Sequence, residues 1–156
     1  MKLLIKNVAP KRSAIAWCES MQKYTHLVFA AAFFFILNFV FHYPLYLSVF
    51  AFIGAMLPDI DFKFHHRALC HNIWFLIFVD AAALYFKVFD IAVMTVFSIG
   101  FISHLAADAL TSHGIKPFWP LGRKIHGPIK TGGMGEFLLL CGMLLVIFWI
   151  FGLVRL

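Results

Sequence analysis

The chain has 156 residues, of which 63% are hydrophobic, 18% aromatic and only 13% charged, with a mean hydropathy of +0.91. This excludes a soluble domain with an ordinary polar surface and also a disordered chain, and it fits one all-α integral membrane domain. Thirteen Lys and Arg against seven Asp and Glu give a net charge of +6, but the cations are scattered and form no aromatic and basic binding module, so a membrane surface is the expected partner and no nucleic acid is.

Residues 1–25 carry Lys2, Lys6, Lys11, Arg12 and Lys23 around short apolar groups, and Ser13 is placed to cap a helix holding Ile15, Trp17, Cys18 and Met21. This reads as a basic interfacial helix ahead of a polytopic domain over 26–156. The apolar run that follows is long and no small-residue cleavage site closes it, which argues against a secretory leader. Five hydrophobic segments come next: Leu27 to Phe41, Leu45 to Leu57 after the turn His42-Tyr43-Pro44, Ile73 to Phe89, Ile91 to Leu110, and Phe137 to Val154. At about 1.5 Å per residue the first two reach roughly 20 to 25 Å against a hydrocarbon core of about 30 Å, so they form a hairpin in a thinned bilayer, or the second is re-entrant. The expected architecture is a compact bundle of about five hydrophobic helices.

With the N-terminus cytoplasmic and five crossings, eleven of the thirteen cations fall inside and only Lys87 and Arg155 outside, which satisfies the positive-inside rule. The same topology puts His26, the stretch 58–71 and the pair His104 and Asp108 on one face of the membrane. The expected localisation is therefore a multi-pass protein of the cell (inner) membrane with a cytoplasmic-face site.

Pro58-Asp59-Ile60-Asp61-Phe62-Lys63-Phe64-His65-His66-Arg67-Ala68-Leu69-Cys70-His71 concentrates the polar chemistry of an otherwise apolar chain. Two carboxylates at i, i+2 after a proline can aim at one point, and nearby imidazoles can complete a nitrogen and oxygen ligand set for a divalent metal. The plainer reading makes Asp59 and Asp61 turn formers, but a turn needs one such residue. His66 is preferred over His65, and Arg67 reads as an anion clamp because guanidinium stays protonated and suits phosphate or carboxylate oxygens.

His104 and Asp108 stand at i, i+4, on one helix face inside an apolar span, where an unpaired charge costs roughly 2.5 to 3.5 kcal/mol and so faces a partner or a cavity. His26 is either an interfacial histidine or a ligand at the same depth. Asp80, two turns into a span, is either a supporting partner of a histidine or part of a separate polar pathway. Glu136 reads as a general base or as a carboxylate favoured by a helix N-terminus. His42 belongs to the opposite face, and His113 and His126 to a loop. Cys18, Cys70 and Cys141 show no CxxC pair, and Cys70 reads as a packing residue.

Thr25-His26 opening the first span, Leu57-Pro58-Asp59-Ile60-Asp61, His66-Arg67 with His71, and His104-Leu105 with Asp108, Thr111, Gly114 and Trp119-Pro120 together resemble the YdjM-like family. The resemblance runs from about residue 25 to residue 120. It implies an inner-membrane-associated, metal-dependent hydrolase, a label that itself rests on the family's His and Asp pattern, and one branch of the family is described as LexA-binding. Where that family has a Thr-His-Ser run, this chain has Cys70-His71-Asn72 and so lacks those two hydroxyls.

The residues together point to a metal-dependent hydrolase at the cytoplasmic interface. Its ligand pool is His26, Asp59, Asp61, His66, His71, His104 and Asp108, enough for one or two ions, with zinc ahead of manganese or iron. Asp61 or Asp108 would take a proton from a metal-activated water, and Arg67 with Lys116, Arg123 or Lys124 would neutralise a phosphoryl oxygen. The expected substrate is a phosphoester such as a phospholipid headgroup, membrane lipids are the expected surroundings, and a homo-oligomer is compatible with the reading. The rivals are a metal-ion or proton transporter using the same side chains, and a non-catalytic membrane anchor with a structural metal.

Overall fold

The computed structural model describes residues 11–63 and 70–154, with side chains over 23–60 and 70–152. Five α-helices are present among the described residues: α1 Lys11–Phe41, α2 Ser48–Met56, α3 Ile73–Tyr85, α4 Ile91–Leu110 and α5 Met134–Val154. Two 3-10 turns, Leu45–Leu47 and Leu57–Lys63, flank α2. The chain is an all-α integral membrane protein.

Three helices contain segments long and apolar enough to cross a membrane, Lys23–Phe41, Ile91–Leu110 and Met134–Gly152, whereas the apolar stretches Leu45–Ile60 and Ile73–Tyr85 are shorter. The helical stretch before the first span is continuous with it in α1, whose apolar, membrane-crossing part is Lys23–Phe41. Nothing between Lys11 and Phe41 is Gly or Pro, so no residue interrupts the backbone ladder. At about 1.5 Å per residue α1 is roughly 45 Å long and overshoots the hydrocarbon core. The third segment stops at Tyr85 rather than Phe89, because Lys87 takes a positive φ of 53°, a conformation that ends a helix. Asp90 then caps α4, its Oδ1 accepting from Val93 N–H at 2.8 Å.

Two apolar clusters mark the ends of the bundle. Phe34, Leu47, Ala51 and Val96 pack with Tyr43, Phe50 and Ala92 where α1 ends and α2 and α4 begin. Leu76, Phe101, Leu105 and Ile115 pack with Leu57 and Ile73 where α2 and α4 end and α3 begins. Neighbouring helices therefore run in alternating directions, and the functional residues discussed below all lie at the second end.

The crossing of α2 and α4 is made by small residues. A Cβ on Gly100 would land on the Ala51 carbonyl, and one on Gly54 on the carbonyl of Phe97, so these backbones touch as in close helix pairs of membrane proteins. Ala51 and Ala55 are fully buried beside them. Along α4 the residues Val96, Gly100, His104 and Ala107 are buried on one stripe, which carries the chain from helix contact to functional site. By contrast, α5 exposes Leu145, Phe148 and Trp149, as a lipid-facing helix does.

A Gly100→Ala substitution should therefore destabilise the fold by about 1–3 kcal/mol through overpacking, while Gly142→Ala, which meets nothing within 4 Å, should be neutral. Thermal unfolding of the two variants in detergent checks this, and equal midpoints would contradict it.

Candidate metal centre

The interior of α1, the turn after α2, the residues leading into α3 and the end of α4 bring the polar residues together. His26 lies in α1 at the start of its apolar part, buried with Thr25. Asp59 sits in the 3-10 turn that follows α2, behind a fully buried Pro58. His71 immediately precedes α3, whose N-cap is Asn72: its Oδ1 accepts from Phe75 N–H at 2.8 Å. Asn72 thus supplies the side-chain cap that fixes where α3 starts. His104 and Asp108 occupy the last turns of α4, which Thr111 closes by donating its hydroxyl to the Asp108 carbonyl at 2.8 Å.

The ring nitrogens and carboxylate oxygens of these residues face a common point. His104 Nε2 is 3.4 Å from His71 Nε2 and 3.5 Å from Asp108 Oδ2, and His71 Nε2 is 3.6 Å from the same oxygen. Asp59 Oδ1 lies 3.9 Å from each of these two imidazole nitrogens. On the other side, Asp108 Oδ1 is 3.3 Å from His26 Nε2, and the His26 and His104 rings stack with centroids 4.0 Å apart. Asp108 is thus the hub, its two oxygens turned to different histidines.

This geometry fits a divalent ion. Two donors about 2.1 Å from a tetrahedral ion are about 3.4 Å apart, close to the spacings among His71, His104 and Asp108. Charge fits as well, since two carboxylates with three neutral imidazoles carry −2, which one divalent ion cancels in a place where uncompensated charge is costly. His26 Nδ1 and His104 Nδ1 are buried without a hydrogen-bond partner, so the polar commitment of both rings lies on the Nε2 side. Two overlapping donor groups result, His26 with Asp59 and His104, and His71 with His104 and Asp108.

Of the expected ligand pool, His26, Asp59, His71, His104 and Asp108 are brought together. His66 and Arg67, with His65, lie outside the described residues, and so does the side chain of Asp61, whose backbone shares the 3-10 turn with Asp59. Asp80 is elsewhere: Ser98 on α4 donates to its Oδ2 at 2.7 Å, so it is paired within the bundle by a hydroxyl and not by a histidine. His42 is exposed beyond the far end of α1, and His113 and His126 are exposed in the loop 111–133. Cys70 is partly buried and belongs to neither donor group.

Glu136 has a role that the sequence did not reveal. It is buried in the first turn of α5, accepts from the Thr25 hydroxyl at 2.7 Å and from Gly132 N–H at 2.6 Å. It therefore ties α5 and the preceding loop to α1 one residue before His26. The only sequence signal was a carboxylate at a helix start, and its partner is 111 residues away. Between these elements lies a small cleft of about 20 Å³, with Thr25, His26, Asp108, Thr111 and Glu136 as polar lining and Ala107, Leu110, Ile129 and Leu139 as apolar lining.

Over residues 21–155 the chain matches the family described as YdjM inner membrane protein. It belongs to that family. The match spans every clustered donor as well as Glu136. This YdjM-family chain is also similar to the uncharacterized protein YvsG of Bacillus subtilis (strain 168), 28% identical over 125 residues that cover 65% of this chain and 76% of that protein. No solved structure matches.

His104→Gln and Asp108→Asn should each weaken divalent-metal retention by more than the 10- to 100-fold typical of losing a supporting hydrogen bond to a ligand, measured by elemental analysis of the purified protein after graded chelation. Glu136→Ala should leave metal retention closer to wild type but lower stability by about 1–3 kcal/mol, because the Thr25 hydroxyl and Gly132 N–H lose their acceptor; thermal unfolding in detergent reads that loss.

Proposed function

We propose that this chain is a metal-dependent hydrolase of the inner membrane that cleaves a phosphoester, with a phospholipid headgroup as the substrate class. The observation that carries the reading is the donor set of His71, His104 and Asp108 at 3.4 to 3.6 Å spacing beside a cleft that is part polar and part apolar. Three close donors with a looser fourth suit a catalytic site better than a closed structural one, which uses all four positions for protein ligands.

His71, His104 and Asp108 would hold the ion, zinc ahead of manganese or iron, and His26 lies against the second oxygen of Asp108, where it would steady that carboxylate or share in a second ion. When bound, the ion supplies Lewis-acid polarisation of the phosphoryl group and makes water more acidic. Asp59 is the loosest member, 3.9 Å from both imidazoles, and its Oδ1 is the atom placed to take up the proton of an attacking water. Asp61, in the same turn, is the second candidate for that step. The small cleft marks where a headgroup would approach from the surface, with His26 and Asp108 on its polar side and Leu110, Ile129 and Leu139 on its apolar side. Lys116, Arg123, Lys124 and Lys130 of the loop bring positive charge to this end of the bundle, where it favours an anionic substrate. They also favour the cytoplasmic side for the site and for the N-terminus.

The test is release of the phosphorylated headgroup from defined phospholipids by the protein reconstituted in vesicles. Release should cease on chelation, return with zinc or manganese, and fall about 100-fold or more in Asp59→Asn and in Asp108→Asn. Metal-independent release, or wild-type turnover in Asp108→Asn, would remove the hypothesis.

A further inference from the structure

The loop between α4 and α5 is folded rather than slack. Ile115 and Ile125 exchange backbone hydrogen bonds at 2.9 and 2.8 Å, Gly127 N–H donates to Thr111, and Ile129 N–H donates to Leu110. Ile115 is buried in the cluster with Leu76, Phe101 and Leu105, and the Pro117 carbonyl accepts from Ile73 N–H at 2.8 Å. That bond seats the loop on the first residue of α3. The next residues turn back sharply, Leu121 N–H donating to the Phe118 carbonyl at 2.8 Å.

This ordered turn presents large apolar side chains outward. Phe118, Trp119 and Leu121 are 45%, 40% and 83% exposed, and Lys116, Arg123 and Lys124 are exposed among them. In water such a surface would be costly, and nothing in the fold requires it. The sequence from 111 to 133 contains no acidic residue, so the cations are not neutralised within the loop.

Position supplies the occupant. At about 1.5 Å per residue α3 is roughly 20 Å long, about 10 Å short of the hydrocarbon core, and the loop is joined to its first residue. Phe118, Trp119 and Leu121 follow directly on Pro117, at the end of α3 where Trp74, Ile77 and Phe78 are also exposed. Aromatic side chains with flanking Lys and Arg are the composition that settles at a membrane interface, the rings at headgroup depth and the cations on lipid phosphates.

We propose that the segment 116–125 is a docking surface for the anionic headgroup layer of the bilayer, Trp119 inserting beside lipids whose phosphates are gathered by Lys116, Arg123 and Lys124. Anionic lipid is thereby concentrated at the end of the bundle that holds the histidine and aspartate cluster. The surface does not depend on the hydrolase reading.

Quenching of Trp119 by brominated lipid tests it. The full chain is reconstituted in phosphatidylcholine vesicles containing phosphatidylglycerol, with bromine on one lipid or the other at equal mole fraction, and the difference between wild type and Trp119→Phe isolates the signal. Brominated phosphatidylglycerol should quench more strongly, by about the fivefold enrichment expected from even one cation near the surface. High salt should remove the preference, and so should Lys116→Gln with Arg123→Gln and Lys124→Gln. Equal quenching by the two lipids would overturn the proposal by showing insertion without charge recognition. Quenching by neither would overturn it by showing that the turn faces water or another macromolecule.

Discussion

Two carboxylates packed against three imidazoles at one end of an apolar bundle set the central constraint on this molecule. Among the described residues the charge of Asp59 and Asp108 is met within the cluster, since most side chains around it are aliphatic or aromatic and lipid offers nothing. Protons on the histidines could meet it, but then the imidazole nitrogens of His71 and His104, 3.4 Å apart, would bring like charges together. A divalent ion at the common point satisfies both the carboxylate charge and the nitrogen lone pairs. Asp108 is central because its Oδ1 faces His26 while its Oδ2 faces both His71 and His104.

The helix packing and the donor geometry are one arrangement. Gly100 fixes how α4 lies on α2, since its backbone rests against Ala51. His104 follows one turn later and Asp108 two turns later on the same helix, so the register of that contact sets where both donors stand. Asp59 leaves α2 at the end of the same contact. A bulkier residue in place of Gly100 would thus displace the site as well as the packing, which is a reason for small residues in the middle of α4 and donors at its end.

Much of this was legible in local sequence. The spacing of His104 and Asp108, and the Pro58-Asp59 step after an apolar segment, are short-range patterns whose physical meaning does not depend on the rest of the fold. Helix extents were less legible: Lys87 ends α3 by a backbone conformation that its side chain does not announce. Glu136 escaped because its meaning lies in Thr25, 111 residues away. Asp80 looked like a participant because it is ionisable and intramembrane, and only the fold shows Ser98 beside it.

Convergence of the donors does not depend on five complete crossings. The short helices α2 and α3 come as a pair that reverses direction at Asp59 and His71, so however deep they reach, the direction of α4 is unchanged and its C-terminal end returns to the same side as the start of α1. The first helix then brings His26 to that side from within its length, and the next three bring a donor by an end or a flanking turn. Among the described residues α5 brings none of the clustered donors, and its contribution is different: held to Thr25 and Gly132 through Glu136, it walls the cleft next to His26 with Leu139. The bundle thus assigns the holding of charge to four helices and the shaping of the space beside it to the fifth, and that division places an amphiphilic cleft directly beside the donors.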